Sequence, residues 1–202
     1  MKEHPILFSG EMVRAILEGR KTQTRRVIKQ VRGCKEFLTV ENDIVSTQEM
    51  LNRRPANAAF LMVHCPYGKS GDRLWVRETH HIDLYPDETV DAHGNPGIAH
   101  YRADTDVISQ SWGGQWRPSI FMPRWASRIT LEVVSVRVER VQDISEADAK
   151  AEGVTPKSYI ADHLEHIMYR STFHLLWDRI NAKRGFPWSS NPWVWVVSFA
   201  QL

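Results

Sequence analysis

The stretch GRKTQTRR, residues 19–26, is the part of the chain around which we expect the fold to be organised. It follows a short amphipathic segment and combines three arginines and one lysine with two threonines. So many charged and hydroxyl side chains cannot all be buried unless each one finds a polar partner. The stretch is therefore expected to face solvent or a polar ligand, and a ligand rich in phosphate or carbonyl oxygens is its natural complement.

The residues before this stretch predict a strand and a helix. Residues 5–8 form an apolar run typical of a short strand, and Ser9 fits the N-cap of a helix. Four apolar residues then recur at helical spacing: Met12, Val13, Ile16 and Leu17. Gly19 fits the position just past the helix end. The basic stretch thus begins at a helix C-terminus, where the partial negative charge favours Arg20 and Lys21.

The longest strand pattern of the chain, residues 128–141, changes phase in its middle. The apolar residues of one face are first Ile129, Leu131 and Val133, and then Val134, Val136 and Val138. A slip of one residue in a pattern of period two predicts a β-bulge. A long, bulged strand that bends is what a small closed barrel requires.

Strands and helices alternate over the rest of the chain. We predict strands at 73–78 and 193–199, and helices at 147–152, 160–168 and 173–180. Ser145 and Asp148 fit a capping box that starts the first of these helices, and Gly153 ends it. With strands at both ends and in the middle, the expected class is α+β, with helices around a β-barrel.

Two stretches interrupt this pattern and are interpreted as insertions into one domain that spans residues 1–202. Residues 30–65 contain a predicted hairpin at 31–45 and a polar segment without clear period at 48–57. Residues 79–116 hold four histidines among several acidic residues, but their spacing matches no HExxH metal motif. We interpret this second stretch as a solvated loop with a short strand at 98–102, and we expect no metal site.

Composition restricts the partners. The net charge is only +2, but basic residues cluster before position 36: Arg14, Arg20, Lys21, Arg25, Arg26, Lys29, Arg32 and Lys35. This cluster predicts a local surface that faces anions. Eight tryptophans are many for 202 residues, and some of them are expected to stack on flat ligands.

Cysteine usage and hydropathy indicate the compartment. The two cysteines, Cys34 and Cys65, suggest neither a disulfide framework nor a CxxC metal pair, so a reducing compartment is expected. No signal peptide precedes the first apolar segment, and no apolar run is long enough to span a bilayer. We therefore expect a cytoplasmic protein without a membrane partner.

Three segments together resemble the ASCH family of PUA-like small β-barrels, which many bacteria and phages encode. They are GRKTQTR at residues 19–25, GDRLWV at residues 71–76, and residues 143–153, which begin DISE and end AEG. The resemblance implies a PUA-like barrel with peripheral helices and the two insertions described above. It also implies activity on a nucleoside or on RNA, because the family includes enzymes similar to N4-acetylcytidine amidohydrolases as well as expected RNA binders.

The resemblance implies a catalytic set of Lys21, Thr24 and Glu152, which match the family's positions in residue type. We assign substrate binding to Arg20, Thr22, Arg25, Arg26 and Trp75. The implied enzyme hydrolyses a linear amide without metal or other cofactor, and its substrate is an acylated cytidine such as N4-acetylcytidine.

Lys21 acts as base or nucleophile only if its pKa falls, and we expect the neighbouring arginines to lower it. Glu152 then passes a proton to the leaving amine, and Thr24 donates to the oxyanion. Whether Lys21 or Thr24 attacks stays open. Three other interpretations also stay open: a structural Lys21–Glu152 ion pair, an RNA-binding module and a ribonuclease.

Overall fold

The computed structural model describes residues 1–29, 39–40, 43–44, 47–53, 64–86, 89–105, 115–156 and 168–202. Within these residues the strands are β1 (Glu3–Leu7), β2 (Gln23–Val27), β3 (Thr39–Val40), β4 (Asp43–Ile44), β5 (Arg73–Arg77), β6 (His80–Leu84), β7 (Gly97–Tyr101), β8 (Thr130–Arg140) and β9 (Trp193–Gln201). The α-helices there are α1 (Gly10–Leu17), α2 (Thr47–Arg53), α3 (Glu146–Ala151) and α4 (Tyr169–Asn181). The predicted α+β class is confirmed.

Five strands form the main sheet, in the order β1-β5-β8-β9-β2. β1 runs parallel to β5, and the other neighbours in this sheet are antiparallel. Two short antiparallel ribbons, β3–β4 and β6–β7, complete the described strands. Backbone pairing among the described residues does not join β1 to β2, so it leaves both as edge strands of an open sheet.

The β-bulge predicted in the longest strand is confirmed. The register of β8 against β9 shifts between Val133 and Ser135, so Val134 is the extra residue. Val133 is buried, but Val134 is 54% exposed, so its predicted place among the apolar residues of the second half was wrong. A bulged residue has no partner opposite it, and here its side chain points to solvent. Val136 and Val138 do pack against the core, as predicted.

Buried apolar side chains form one cluster on each face of the main sheet. Strand β9 contributes to both, because its side chains alternate. Trp195 and Val197 join a cluster with residues of β1, α1, β5 and the first half of β8. Val194 and Val196 join a second cluster with α3 and α4, which includes Phe173. The two clusters thus share a strand, and the assignment of residues 1–202 to one domain remains a prediction.

The two stretches interpreted as insertions contain more regular structure than predicted. In residues 30–65 the hairpin appears as β3–β4, but α2 covers a segment for which no helix was predicted. Met50 and Leu51 of α2 are fully buried, so tertiary packing stabilises a helix whose sequence is mostly polar. In residues 79–116, β6 pairs with β7, where a solvated loop with one strand was predicted. The predicted helix at 160–168 lies, apart from Met168, outside the described residues.

The described helices are all too short or too polar to pass through a lipid bilayer.

Candidate functional site

The basic stretch begins where α1 ends. Gly19 has a positive φ of 70°, which suits a glycine just past a helix end. The chain then folds back, because the backbone N–H groups of Arg20 and Lys21 both donate to the carbonyl of Ala15, each at 2.9 Å. This turn brings Lys21 alongside Glu152, with which it forms an isolated antiparallel β-bridge.

Glu152 reaches the same place at the end of α3. Ser145 caps this helix, since its hydroxyl accepts from the backbone N–H of Asp148 at 3.0 Å, as the capping-box pattern predicted. Glu152 is the C-cap residue, and Gly153 follows with a φ of 80°. A Cβ atom on Gly153 would lie 2.7 Å from the Cβ of Lys21, so only glycine allows this close approach.

Two of the three predicted catalytic residues, Lys21 and Glu152, meet in a buried contact. Nζ of Lys21 donates to Oε2 of Glu152 at 2.9 Å, to the carbonyl oxygen of Glu152 at 2.8 Å and to that of Gln23 at 2.8 Å. Lys21 is 2% exposed and Glu152 is 4% exposed. All three protons of the ammonium group therefore have acceptors, which is how a buried charge is tolerated.

Arg25 binds the other side of the Glu152 carboxylate. Its Nη1 lies 3.3 Å from Oε1 of Glu152, and its Nη2 lies 3.2 Å from Glu139 and 3.4 Å from Asp148. The guanidinium is fully buried and lies 6.0 Å from the centroid of the Phe173 ring. Arg25 is therefore surrounded by carboxylates, and its predicted role in substrate binding would require it to leave them.

Burial is the main reason why the pKa of Lys21 is lowered. Glu152 opposes the effect by its charge and its hydrogen bond, while the charges of Arg26 and Arg25 lower the pKa further. The predicted direction is thus correct, but the arginines are the minor cause and desolvation is the major one. Arg20 is not among the groups that shift this pKa; it is exposed and donates to Glu18 and to the carbonyl of Gly153 at 2.9 Å.

Strand β2 divides the predicted site residues between the two faces of the main sheet. Gln23 and Arg25 lie opposite Ser198 and Val196, on the side of α3 and α4, whereas Thr24 and Arg26 lie on the other face. Thr24 is 3% exposed. Phe8 is a common neighbour on this face, since its ring centroid lies 5.5 Å from Nζ of Lys21 and 5.1 Å from the guanidinium of Arg26.

The Arg26 side chain is partly buried, and only some of its N–H groups have hydrogen-bond partners among the described residues. Its Nη2 donates to the carbonyl of Leu7 at 2.6 Å, but its Nε is buried without a hydrogen-bond partner among the described residues. Burial lowers the pKa of Arg26, while the charges of Tyr67 and Glu152 raise it. Nε of Arg25 is likewise buried without a partner, so the two arginines differ in their acidic contacts: three carboxylates lie against the terminal nitrogens of Arg25, whereas Nη2 of Arg26 donates to a backbone carbonyl.

Of the remaining predicted binding residues, Thr22 lies beside the Lys21–Glu152 contact and Trp75 lies on β5. Thr22 is exposed; its backbone N–H donates to the carbonyl of Ala151 at 2.9 Å, and its own carbonyl accepts from Phe199 at 2.9 Å. Trp75 lies on the face of β5 opposite its buried residues, with the guanidiniums of Arg77 and Arg124 at 5.2 Å and 5.8 Å from its ring centroid. The contacts of Trp75 are thus with arginines.

The predicted anion-facing cluster is not one continuous surface in the described residues. Lys21 and Arg25 are buried against carboxylates, and Arg14 donates to the carbonyl of Ala103 at 2.9 Å. Arg32 and Lys35 lie outside the described residues. The prediction of a single basic surface requires all of these cations to face outward. Lys21 and Arg25 are buried instead, because acidic residues distant in sequence contact them.

Two acidic residues of the site, Glu139 and Asp148, were missed. Glu139 lies in β8 and Asp148 in α3, and Arg137 contacts both of them, with Nη2 3.1 Å from Asp148. Although burial raises the pKa of Asp148, hydrogen bonds from Gln23 and Ser145 and the charges of Arg25 and Arg137 lower it. The signal was a pair of charged residues, Arg137 and Glu139, that alternate with valines in an otherwise apolar strand.

The described part of residues 79–116 contains a histidine–aspartate cluster. Asp83 lies 2.8 Å from Nε2 of His81 and 2.7 Å from Nε2 of His100 across the β6–β7 ribbon. No group of histidine, cysteine or acidic residues among those described has the arrangement of a metal site. In the described residues the cluster consists of contacts between the Asp83 carboxylate and the two imidazole rings.

Comparison of the chain with protein-family models, with curated proteins and with solved structures gives no match. The resemblance to the ASCH family therefore stands on the three sequence segments alone, and the activity must be argued from the geometry around Lys21 and Glu152.

Proposed function

We propose that this chain is an ASCH-like amidohydrolase that removes the acyl group from the exocyclic amine of a modified cytidine, with N4-acetylcytidine as the test substrate. The observation that carries the proposal is the buried contact between Lys21 and Glu152, which lie 131 residues apart in sequence. A lysine with a lowered pKa beside a carboxylate is the arrangement expected of a proton-transfer pair.

The proposed fold is a PUA-like barrel. The bulged β8 supports it, because such a strand bends a sheet toward closure. A hydrogen bond from Arg26 of β2 to the carbonyl of Leu7 of β1, at 2.6 Å, supports it too, since it links the two edge strands. Both strands lie beside Lys21, so the catalytic residues would sit where the edges approach each other. The free, buried thiol of Cys65 is in keeping with the cytoplasmic location that we also propose.

In the proposed reaction Lys21 first loses one proton to solvent, which its lowered pKa favours. The neutral amine then accepts a proton from water while the water oxygen attacks the acyl carbon. The C–N bond then breaks, and the proton passes from Lys21 through the Glu152 carboxylate to the departing amine. The products are the free cytidine amine and acetate. Thr24 would donate its hydroxyl to the developing oxyanion. Because Lys21 is 2% exposed, the substrate reaches it only after a local opening of the side chains around it.

The burial of Lys21 and Arg25 counts against the alternative of an RNA-binding module. Both side chains are fully buried and paired with carboxylates, so neither can contact a phosphate from the surface. Arg20, at the surface, is paired with Glu18. Lys21 needs a local opening in either proposal, and the contact with Glu152 together with the lowered pKa of Lys21 favours the hydrolase, so RNA binding becomes an outcome of its test.

The test is incubation of the protein with N4-acetylcytidine in H2¹⁸O, followed by mass analysis of the products. We expect cytidine and acetate, with one ¹⁸O atom in the acetate and none in the cytidine. Lys21→Met should lower turnover by roughly a hundredfold or more, the scale expected for loss of a positioned acid–base group. Lys150→Met, the same change at an exposed lysine of α3, is the matched control and should leave turnover intact.

Parallel incubations with acetylated and unmodified RNA separate the other interpretations. Deacetylation of the oligonucleotide would support the proposal and extend the substrate to RNA. Binding without deacetylation, weakening steeply as salt rises, would replace the hydrolase with a binding module. Chain cleavage would replace it with a ribonuclease. Absence of all three would leave Lys21–Glu152 as a structural ion pair.

A further inference from the structure

Arg25 differs from Arg26 in how completely its charge is compensated. Three carboxylates, those of Glu139, Asp148 and Glu152, lie within 3.4 Å of its terminal nitrogens. Arg26, one residue later and on the other face of β2, donates from Nη2 to a backbone carbonyl. Nε is buried without a partner among the described residues in both arginines, so the difference lies in the carboxylates around Arg25. A guanidinium that three acids already hold is poorly suited to receive a substrate.

The contact between Arg25 and Glu152 fixes one end of a carboxylate whose other end faces Lys21. Arg25 reaches Oε1 at 3.3 Å, and Lys21 reaches Oε2 at 2.9 Å. The carboxylate is thus held between two cations, and rotation about its last bond would break one contact or the other. Arg25 is itself anchored from two further directions, by Glu139 of β8 and Asp148 of α3.

We propose that Arg25 is a positioning residue, which holds Oε1 of Glu152 so that Oε2 stays against the ammonium group of Lys21, and which does not contact the substrate. This inference rests on the proposed function, since it names a device that serves the Lys21–Glu152 pair. It replaces the substrate-binding role that the sequence suggested for Arg25.

Charge and geometry contribute separately to this role. The charge of Arg25 lowers the pKa of Lys21, in the same direction as the larger effect of burial. Its planar fork contacts carboxylates from two separate nitrogens, a geometry that the point charge of an ammonium group does not reproduce. Removing the charge should therefore raise the pKa of Lys21, whereas replacing the fork by an ammonium should preserve that pKa and disturb the orientation of Glu152.

The experiment compares Arg25→Gln with Arg25→Lys by kinetics and by NMR titration of the lysine ε-carbons, in which the Lys21 signal is assigned from its loss in Lys21→Met. We expect both variants to lower kcat roughly ten- to a hundredfold with KM nearly unchanged, because Glu152 is misplaced and the substrate contacts are intact. In Arg25→Gln the rise of kcat with pH should also move to higher pH. In Arg25→Lys it should stay where it is in the wild type.

Arg137→Gln is the matched control. Arg137 contacts the same Glu139 and Asp148 but makes no hydrogen bond to Glu152, so its loss removes the same charge from the same acids. It should leave the Lys21 titration and the pH profile of kcat close to wild type. Thermal denaturation of each variant identifies those that are unfolded, and only folded variants are compared.

Each outcome decides a different point. A raised KM with unchanged kcat in Arg25→Gln would show that Arg25 binds substrate and would overturn the inference. Folded variants with wild-type kcat and Lys21 titration would reduce Arg25 to a structural ion pair. If the wild type deacylates nothing, the proposed function fails, and the chemical shift of the Glu152 side-chain carboxyl carbon then decides the inference. A changed shift in Arg25→Lys but not in Arg137→Gln supports it, because the charge is kept and only the orientation of Glu152 is disturbed, and an unchanged shift in Arg25→Lys overturns it.

Discussion

Two buried carboxylates in this molecule are held by basic side chains, and they differ in the chemistry of the cation. Glu152 faces Lys21 and Arg25 between α3 and β2, whereas Glu78, just after β5, is held by Arg128. The contacts from Nε and Nη2 of Arg128 to the two oxygens of Glu78 measure 2.9 Å and 3.1 Å. Glu78 is 1% exposed, so both carboxylates are equally removed from water.

The type of cation, lysine or arginine, determines which of the two pairs can exchange a proton. Burial lowers the pKa of Lys21, so its proton can leave at a pH nearer neutrality. For Arg128 burial acts in the same direction, but its hydrogen bonds and charge interactions with Glu78 and Asp104 outweigh it and raise the pKa. An arginine stays charged in either case. The Glu78 pair is therefore structural, while the Glu152 pair has the composition of an acid–base site.

The largest expected effect on stability comes from breaking the structural pair. Arg128→Met leaves Glu78 buried without its cation, which should lower the free energy of unfolding by about 3–5 kcal/mol. Turnover of the folded fraction should not change, in contrast to Lys21→Met. Denaturant unfolding at pH 8, combined with the deacetylation assay, measures both quantities.

The pH dependence of this variant has a definite sign. Burial raises the pKa of Glu78, although Arg128 opposes the effect. A raised folded-state pKa means that the contribution of Glu78 to stability is fully present below its unfolded value and is lost as pH rises through the folded value. Loss of Arg128 raises that pKa further, so the destabilisation should be smaller at pH 4.5 than at pH 8. Equal destabilisation at both pH values would contradict the assignment. Arg124→Met, which removes an exposed pair with Glu3, is the control and should leave the free energy of unfolding close to that of the wild type at both pH values.

A smaller effect is expected when the two chain segments at the candidate site are forced apart. Gly153→Ala places a methyl group 2.7 Å from the Cβ of Lys21 at a φ of 80°. The backbone strain and the overpacking together should cost about 2–4 kcal/mol. Gly71→Ala is the matched control, because its φ is 84° but nothing lies within 4 Å of its added Cβ, so only the strain remains. Thermal unfolding should rank Gly153→Ala below Gly71→Ala, and the opposite order would mean that the contact with Lys21 relaxes freely.

The smallest expected effect concerns the thiol of Cys65, a buried ionisable group whose pKa is set mainly by burial rather than by a neighbouring charge. Burial raises the pKa of Cys65 from 9.0 to about 11, opposed only by a backbone hydrogen bond from Tyr67. The unfolded thiol ionises near pH 9 while the folded one keeps its proton to about pH 11, so stability should fall as pH rises through this window. The loss attributable to Cys65 is at most about 2–3 kcal/mol. Unfolding curves of wild type and Cys65→Ala at pH 8 and pH 10.5 measure this loss. If the free energy of unfolding falls by the same amount in both proteins between the two pH values, the prediction is refuted.

Local patterns predicted much of the fold because the features concerned depend on short-range physics. The bulge in β8 follows from a phase slip that any strand with this sequence would show, and the cap at Ser145 follows from the hydroxyl three residues before Asp148. By contrast, α2 and β6 were missed because their sequences are polar. Each forms only because one of its sides meets the core, as the full burial of Met50 and His80 shows.

Sequence patterns predicted the end of α1, the bulged strand β8 and the capped helix α3, which carry or precede Lys21 and Glu152, but they did not specify the contact between these two residues. Only the tertiary structure decided how they meet. It surrounded Arg25 with acids from β8 and α3 and made burial the main cause of the lowered pKa of Lys21. The physical reason is that desolvation and ion pairing depend on neighbours more than a hundred residues away, which no local pattern specifies.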